Sequence, residues 1–323
     1  MVSLVAGGCA SDSSDDDATD VRPKGVELYV AGVQASRLGN QRLAQAKFEQ
    51  ATVINPKLQM VRAMLGDIYR SQNDYERALE QYEVLANLDP QDAENFYRLG
   101  VTYQFLQRVN EAVASYLSAL RLNPEDVKSN MNLGLCYLTL NQGSDAIKYL
   151  RRATQLQPDF ADAWTNLGVA LDAAGDLAGA ESAYKRALEL DRNQNVSLLN
   201  LGANLIRQNK GEAAVSVMEE AIKRVDDAPT HTRYAQALTL AKRFDEALAQ
   251  YPIALKLDPR YYPALNEQGF TYIAMFENGL ELDDKSRLQA IASWGQSLKV
   301  NPNQPSVAAV IQQWSGNRMF GGQ

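Results

Sequence analysis

Between residues 161 and 190 the apolar side chains follow two separate helical rhythms. Trp164, Leu167 and Leu171 recur three and four residues apart, and so do Ala180, Tyr184 and Ala187. Each set marks one buried face of an amphipathic helix. Ala174, Gly175 and Asp176 break the rhythm between them. The stretch therefore predicts a helix over Asp162–Ala174, a tight turn, and a second helix over Leu177–Leu190.

This pattern returns along nearly the whole chain. Glycine stands at Gly32, Gly66, Gly100, Gly134, Gly168 and Gly202, each 34 residues after the last. Alanine keeps the same beat at Ala44, Ala78, Ala112, Ala146, Ala180 and Ala214, then at Ala247 and Ala290. Proline marks Pro56, Pro90, Pro124 and Pro158, yields to Arg192 and Asp226, and resumes at Pro259 and Pro302. Small residues at fixed places mark where two helices approach closely, and the proline ends one unit because it cannot continue the helix before it. Eight units result, beginning near residues 25, 59, 93, 127, 161, 195, 228 and 262 and extending to 302. A fixed period of this length is the signature of a repeat array.

The unit resembles the tetratricopeptide repeat. The third copy carries the family's signature as Phe96, Leu99, Gly100, Tyr103, Ala112, Tyr116, Ala119 and Pro124. The resemblance implies an all-α fold: a right-handed superhelical solenoid whose first helices line a concave groove. Two units depart from the pattern. Pro252 falls inside the second helix of the seventh, where a kink is expected. The eighth carries extra residues between Tyr272 and Ala290, so a longer first helix or an exposed loop is expected there. After Pro302, Val307, Val310, Ile311 and Trp314 share one helical face, which predicts a capping helix within 303–323.

In the groove implied by the resemblance, one position draws attention. Asn132-Leu133-Gly134, Asn166-Leu167-Gly168 and Asn200-Leu201-Gly202 repeat at the 34-residue step. Leu and Gly are packing positions; the Asn is rotated about 100° from the Leu and faces away from the packing. An amide both donates and accepts, so Asn132, Asn166 and Asn200 suit the backbone of an extended peptide. Arg98 and Arg233 hold the same position in the third and seventh units and would place positive charge at either end of the row, suited to carboxylates. Tyr97, Val101, Met131, Leu135, Thr165, Val169, Leu199 and Ala203 form an apolar strip beside the amides. The lysine and further asparagines of the family's carboxylate clamp are missing.

Residues 1–24 belong to no repeat. Ala6-Gly7-Gly8-Cys9 after Leu4 and Val5 resembles the cleavage box of bacterial lipoproteins, in a signal that reads as truncated because only eight residues precede Cys9. The resemblance implies lipidation at Cys9, a membrane anchor, and an extracytoplasmic location, periplasmic and possibly at an outer membrane. The alternative is a cytoplasmic protein without lipid. The Ser- and Asp-rich run that follows is too polar to bury a core and is expected to be a disordered acidic tether.

Composition narrows the functions. With 39 acidic against 32 basic residues the net charge is −7, which argues against a nucleic-acid partner. Two cysteines and one histidine make neither a disulfide framework nor a zinc site, so no metal and no cofactor are expected. No nucleophile elbow or phosphate loop occurs. His231, at a helix start, reads as a surface residue, and Cys136 as a small buried hydrophobe. The expectation is a non-catalytic scaffold holding a protein or peptide in its groove. The alternatives are a structural protein acting by self-association or through its convex face, and a soluble regulatory adaptor.

Overall fold

The computed structural model describes residues 16–279 and 284–316. Among these all regular structure is α-helix. The helices follow in pairs: α1 (Asp16–Arg37) and α2 (Gln41–Ile54), α3 (Gln59–Ser71) and α4 (Tyr75–Leu88), α5 (Ala93–Phe105) and α6 (Val109–Leu122), α7 (Val127–Thr139) and α8 (Gly143–Leu156). Then come α9 (Ala161–Ala173) and α10 (Leu177–Leu190), α11 (Asn195–Arg207) and α12 (Gly211–Arg224), α13 (Ala228–Leu240) and α14 (Phe244–Leu257), and α15 (Tyr262–Asn278) and α16 (Asp284–Val300). A single helix, α17 (Pro305–Ser315), ends the described chain. The chain forms two compact units, Met1–Gln142 with α1 to α7 and Gly143–Gln323 with α8 to α17. Compactness is local because each repeat touches only its neighbours.

Sterics explain the period. At Gly66 a Cβ would lie 2.4 Å from the Tyr82 ring, and at Gly168 2.5 Å from the Tyr184 ring. Glycine is required at these points because the second helix of the pair drives an aromatic ring against the backbone of the first. Tyr82 and Tyr184 are fully buried there. The sixth pair fills the slot with Met218 against Gly202, and the eighth with Trp294 against Gly269. The alanines Ala44, Ala78, Ala112, Ala146, Ala180, Ala214, Ala247 and Ala290 are all wholly buried.

The turn within each pair has its own signature. The backbone enters the left-handed region at Gly39, Asn73, Gln107, Asn141, Gly175 and Asn209, the same 34-residue step again, and then at Lys242 one residue early. Glycine and asparagine adopt that conformation readily; Gln107, at φ 60°, and Lys242, at φ 59°, do so at a cost. The next helix then starts on a cap such as Asp176, whose carboxylate accepts from the Gly179 N–H at 2.9 Å.

The departures resolve simply. α14 runs unbroken through Pro252, which is exposed and so gives up its backbone hydrogen bond on the wet side. The extra residues of the eighth unit lengthen both helices: α15 and α16 have 17 residues each, against 13 and 14 in α13 and α14. Residues 280–283 lie outside the described chain. Val307 of α17 is buried against Ile273, Ala290 and Trp294, with Val310, Ile311 and Trp314 partly buried around it. α1 begins at Asp16, inside the segment expected to be a tether.

Candidate functional site

The second unit carries the richer face. Its first helices α9, α11, α13 and α15 are successive neighbours. Hydroxyls and amides stitch them at separations of 32 residues: Thr165 to Ser197 at 2.6 Å, Asn204 to Asp172 at 2.7 Å, and Thr239 to Thr271 at 2.8 Å. Gln194 adds a further link, donating to Asp162 at 2.6 Å. These bonds tie α9 to α11 and α13 to α15.

On that register Asn166, Asn200, Arg233 and Glu267 occupy equivalent places, each two residues before the small packing residue Gly168, Gly202, Ala235 or Gly269. Asn166 and Asn200 are half-buried, and neither side chain hydrogen-bonds another described residue. Their amides are free to address a ligand. Arg233 is half-buried too, close enough to Tyr261 for its charge to act on the phenol.

The first unit, taken by itself, treats the position differently. The Asn132 amide lies beside the phenols of Tyr97 and Tyr116, which burial pushes above their ordinary range, and the Tyr116 hydroxyl donates to Gln104 Oε1. Its amide thus serves the interior of the unit. Arg98 is paired on its own helix with Glu94 at 3.2 Å. Of the expected apolar strip, Thr165 is a correction: it is 5% exposed and spends its hydroxyl on Ser197, Gln194 and the Ala161 carbonyl.

Glu267 extends the row and was not among the expected residues, although its offset from Gly269 matches that of Asn200 from Gly202. Burial raises its carboxyl above the usual carboxylate range, opposed by a hydrogen bond from Gln236. Beside it lies a cleft of about 190 Å³ lined by Ile206, Gln236, Thr239, Leu240, Glu267, Phe270 and Thr271. Leu240 and Phe270 stand exposed on its rim.

Elsewhere His231 is a second correction. It is 7% exposed, with Nε2 2.9 Å from Asp226 Oδ1 and Nδ1 2.9 Å from Gln250 Oε1, so it is a packed interior residue. Cys136 is buried as expected, and burial pushes its thiol up to about 11, far from a reactive thiolate. Cys9 lies outside the described residues. Among the described residues no cluster of His, Cys, Asp and Glu is arranged for a metal, and no helix is long and apolar enough to cross a membrane.

Comparison with known proteins places this architecture. No curated protein matches the chain. Among solved structures it is similar to YrrB, described as a tetratricopeptide-repeat protein with an unusual peptide-binding site: 26% identity, 60% of this chain and 97% of that one, TM-score 0.51. It shares its fold with pilF of Pseudomonas aeruginosa, at 20% identity over 64% of this chain and 94% of that one, TM-score 0.56. A tetratricopeptide-repeat protein of Parabacteroides merdae aligns at 15% identity over 77% of this chain and 99% of its own, TM-score 0.57. The profile of the cilia and flagella-associated protein 70 C-terminal domain matches residues 26–270 of the 323. The repeats, their glycine–aromatic slots and this match agree: the chain belongs to that tetratricopeptide-repeat family.

Proposed function

We propose that the protein is a non-catalytic scaffold that holds an extended peptide segment of a partner protein on the α9–α11–α13–α15 face. The observation that carries this reading is the pair Asn166 and Asn200. Two amides stand at the same register on neighbouring helices, half-buried and without a partner of their own. Each pairs with one backbone N–H and one C=O of a strand-like ligand, which grips main chain with little regard to sequence. Each such hydrogen bond contributes about 0.5–1.5 kcal/mol net, so two amides supply a few kcal/mol, and the apolar residues around them supply the rest. YrrB, the similar structure described with a peptide-binding site, supports the reading. Arg98 and Asn132 of the first unit belong to the same positional series, and Cys9 is proposed as the lipid anchor that tethers the scaffold on the extracytoplasmic side of a membrane.

The test is selection of random twelve-residue peptides on the immobilised protein, followed by titration of the winners. Asn166→Ala with Asn200→Ala should weaken binding about tenfold or more. Equal affinity for the double variant and the wild type would overturn the groove reading. The tether is tested separately: detergent-phase partitioning of the expressed protein should vanish in Cys9→Ser, and a wild type that stays in the aqueous phase sinks it.

A further inference from the structure

The cleft beside Glu267 has no task in the packing of the repeat. Its hydroxyls are already spent: Thr271 Oγ1 lies 2.8 Å from Thr239 Oγ1 and 2.7 Å from the Tyr251 hydroxyl, and donates to the Glu267 carbonyl at 3.0 Å. The polar atoms left to meet a ligand are the Glu267 carboxylate and the Gln236 amide beside it. No basic side chain among the described residues pairs with Glu267. Above it the walls are apolar: Ile206 from α11, Leu240 from α13, Phe270 from α15. A volume of about 190 Å³ falls below the roughly 300–1,000 Å³ of sites that take whole small molecules, and it suits a single long side chain.

Resting on the peptide-groove reading above, we propose that this cleft is a specificity pocket for one basic residue, lysine or arginine, of the bound peptide. An aliphatic stem would lie along Ile206 and Leu240, and the cationic head would reach Glu267 across the face of Phe270. Lys and Arg are built for this, with an apolar shaft and a charged tip. A carboxylate held half out of water gains more from a cation than one on an open surface, and an aromatic face adds attraction to the same charge. An apolar residue would fill the walls and leave the carboxylate stranded; an acidic one would meet like charge. The amides of Asn166 and Asn200 would hold the backbone, and Glu267 would select the register.

The experiment uses the peptides selected on the wild-type protein. One recurrent Lys or Arg should emerge, and replacing it by norleucine should cost about tenfold in affinity on the wild type, but about twofold or less on Glu267→Gln. Glutamate at that peptide position should abolish binding to the wild type, a readout that needs no protein variant. The pocket is overturned if the winners share no basic residue, or if the norleucine change costs the same on both proteins. Failure of the groove reading shows separately, as affinity indifferent to Asn166→Ala and Asn200→Ala. If no peptide is selected at all, both fall.

Discussion

Thr239 and Thr271 share a 2.8 Å contact between their hydroxyls, across the junction of α13 and α15 and directly above the Tyr251 phenol. The three side chains form one largely buried relay that joins the seventh repeat to the eighth. Thr271→Val removes its centre and leaves Tyr251, wholly buried, with a poorer partner. The expected loss is about 1–3 kcal/mol in urea denaturation. Tyr251→Phe, which deletes the phenolic hydroxyl itself, should cost less.

The glycine slots are steric, and this is testable by compensation. Gly168→Ala puts a methyl 2.5 Å from the Tyr184 ring and should cost about 1–3 kcal/mol. Met218 faces Gly202 in the next repeat, so a flexible thioether is already tolerated in that slot. Tyr184→Met should therefore recover part of the loss in the double variant. Additive losses in a double-mutant cycle would reject a direct clash.

Asn132 and Asn166 occupy the same position but should behave differently. Asn132→Ala removes the amide that sits against the buried phenols of Tyr97 and Tyr116 and is expected to destabilise by about 1 kcal/mol. Asn166→Ala should fall within about 0.5 kcal/mol of wild type, because nothing in the fold depends on its amide. Equal losses in thermal and urea unfolding would show that the amide at this position serves the fold in both units.

Glu181 gives a pH signature. Lys185 at 2.6 Å and Lys210 at 2.7 Å, aided by Gln208, pull its carboxyl down from an ordinary 4.5 to about 2. The folded value lies below the unfolded one. The ionised carboxylate thus stabilises the fold above pH 4.5, and that stabilisation is lost as pH falls toward 2. The difference in stability between wild type and Glu181→Gln should be constant above pH 4.5 and shrink below it. A difference that is flat down to pH 2 in denaturant titrations would reject this link between α10 and the start of α12.

Gln107 holds a left-handed turn that Gly39 and Gly175 hold without strain. Gln107→Gly should raise stability by about 0.5–1 kcal/mol, as should Lys242→Gly. A fall in the urea midpoint for both would mean that side-chain contacts outweigh the backbone strain.

The repeat was legible in sequence because its causes are local and steric. A ring pressed on the helix backbone leaves room for little more than a hydrogen, so the 34-residue beat at Gly66, Gly100 and Gly168 survives along the chain, with alanine only at Ala235. The row at Asn166, Asn200 and Arg233 followed from the same offset. Glu267 obeys that offset too, but an acidic side chain gives the row no amide or guanidinium to mark it in sequence. The remaining corrections concern burial contributed from elsewhere in the chain. His231 is enclosed by Asp226 and by Gln250 of α14, and Thr165 by Ser197 of the following repeat. The cleft itself could not be read at all, since its walls come from three repeats and no single one shows a concavity.

That shared construction has a mechanical consequence. Ile206, Leu240 and Phe270 belong to the sixth, seventh and eighth repeats, so the cleft keeps its width only while those repeats keep their spacing. A stack whose members touch only neighbours behaves as a spring. A side chain seated there as proposed would act as a clasp across three coils of it, stiffening the stretch from α11 to α15. Tension along the stack would widen the gap and let the clasp go, so the proposed grip would respond to pull as well as to concentration.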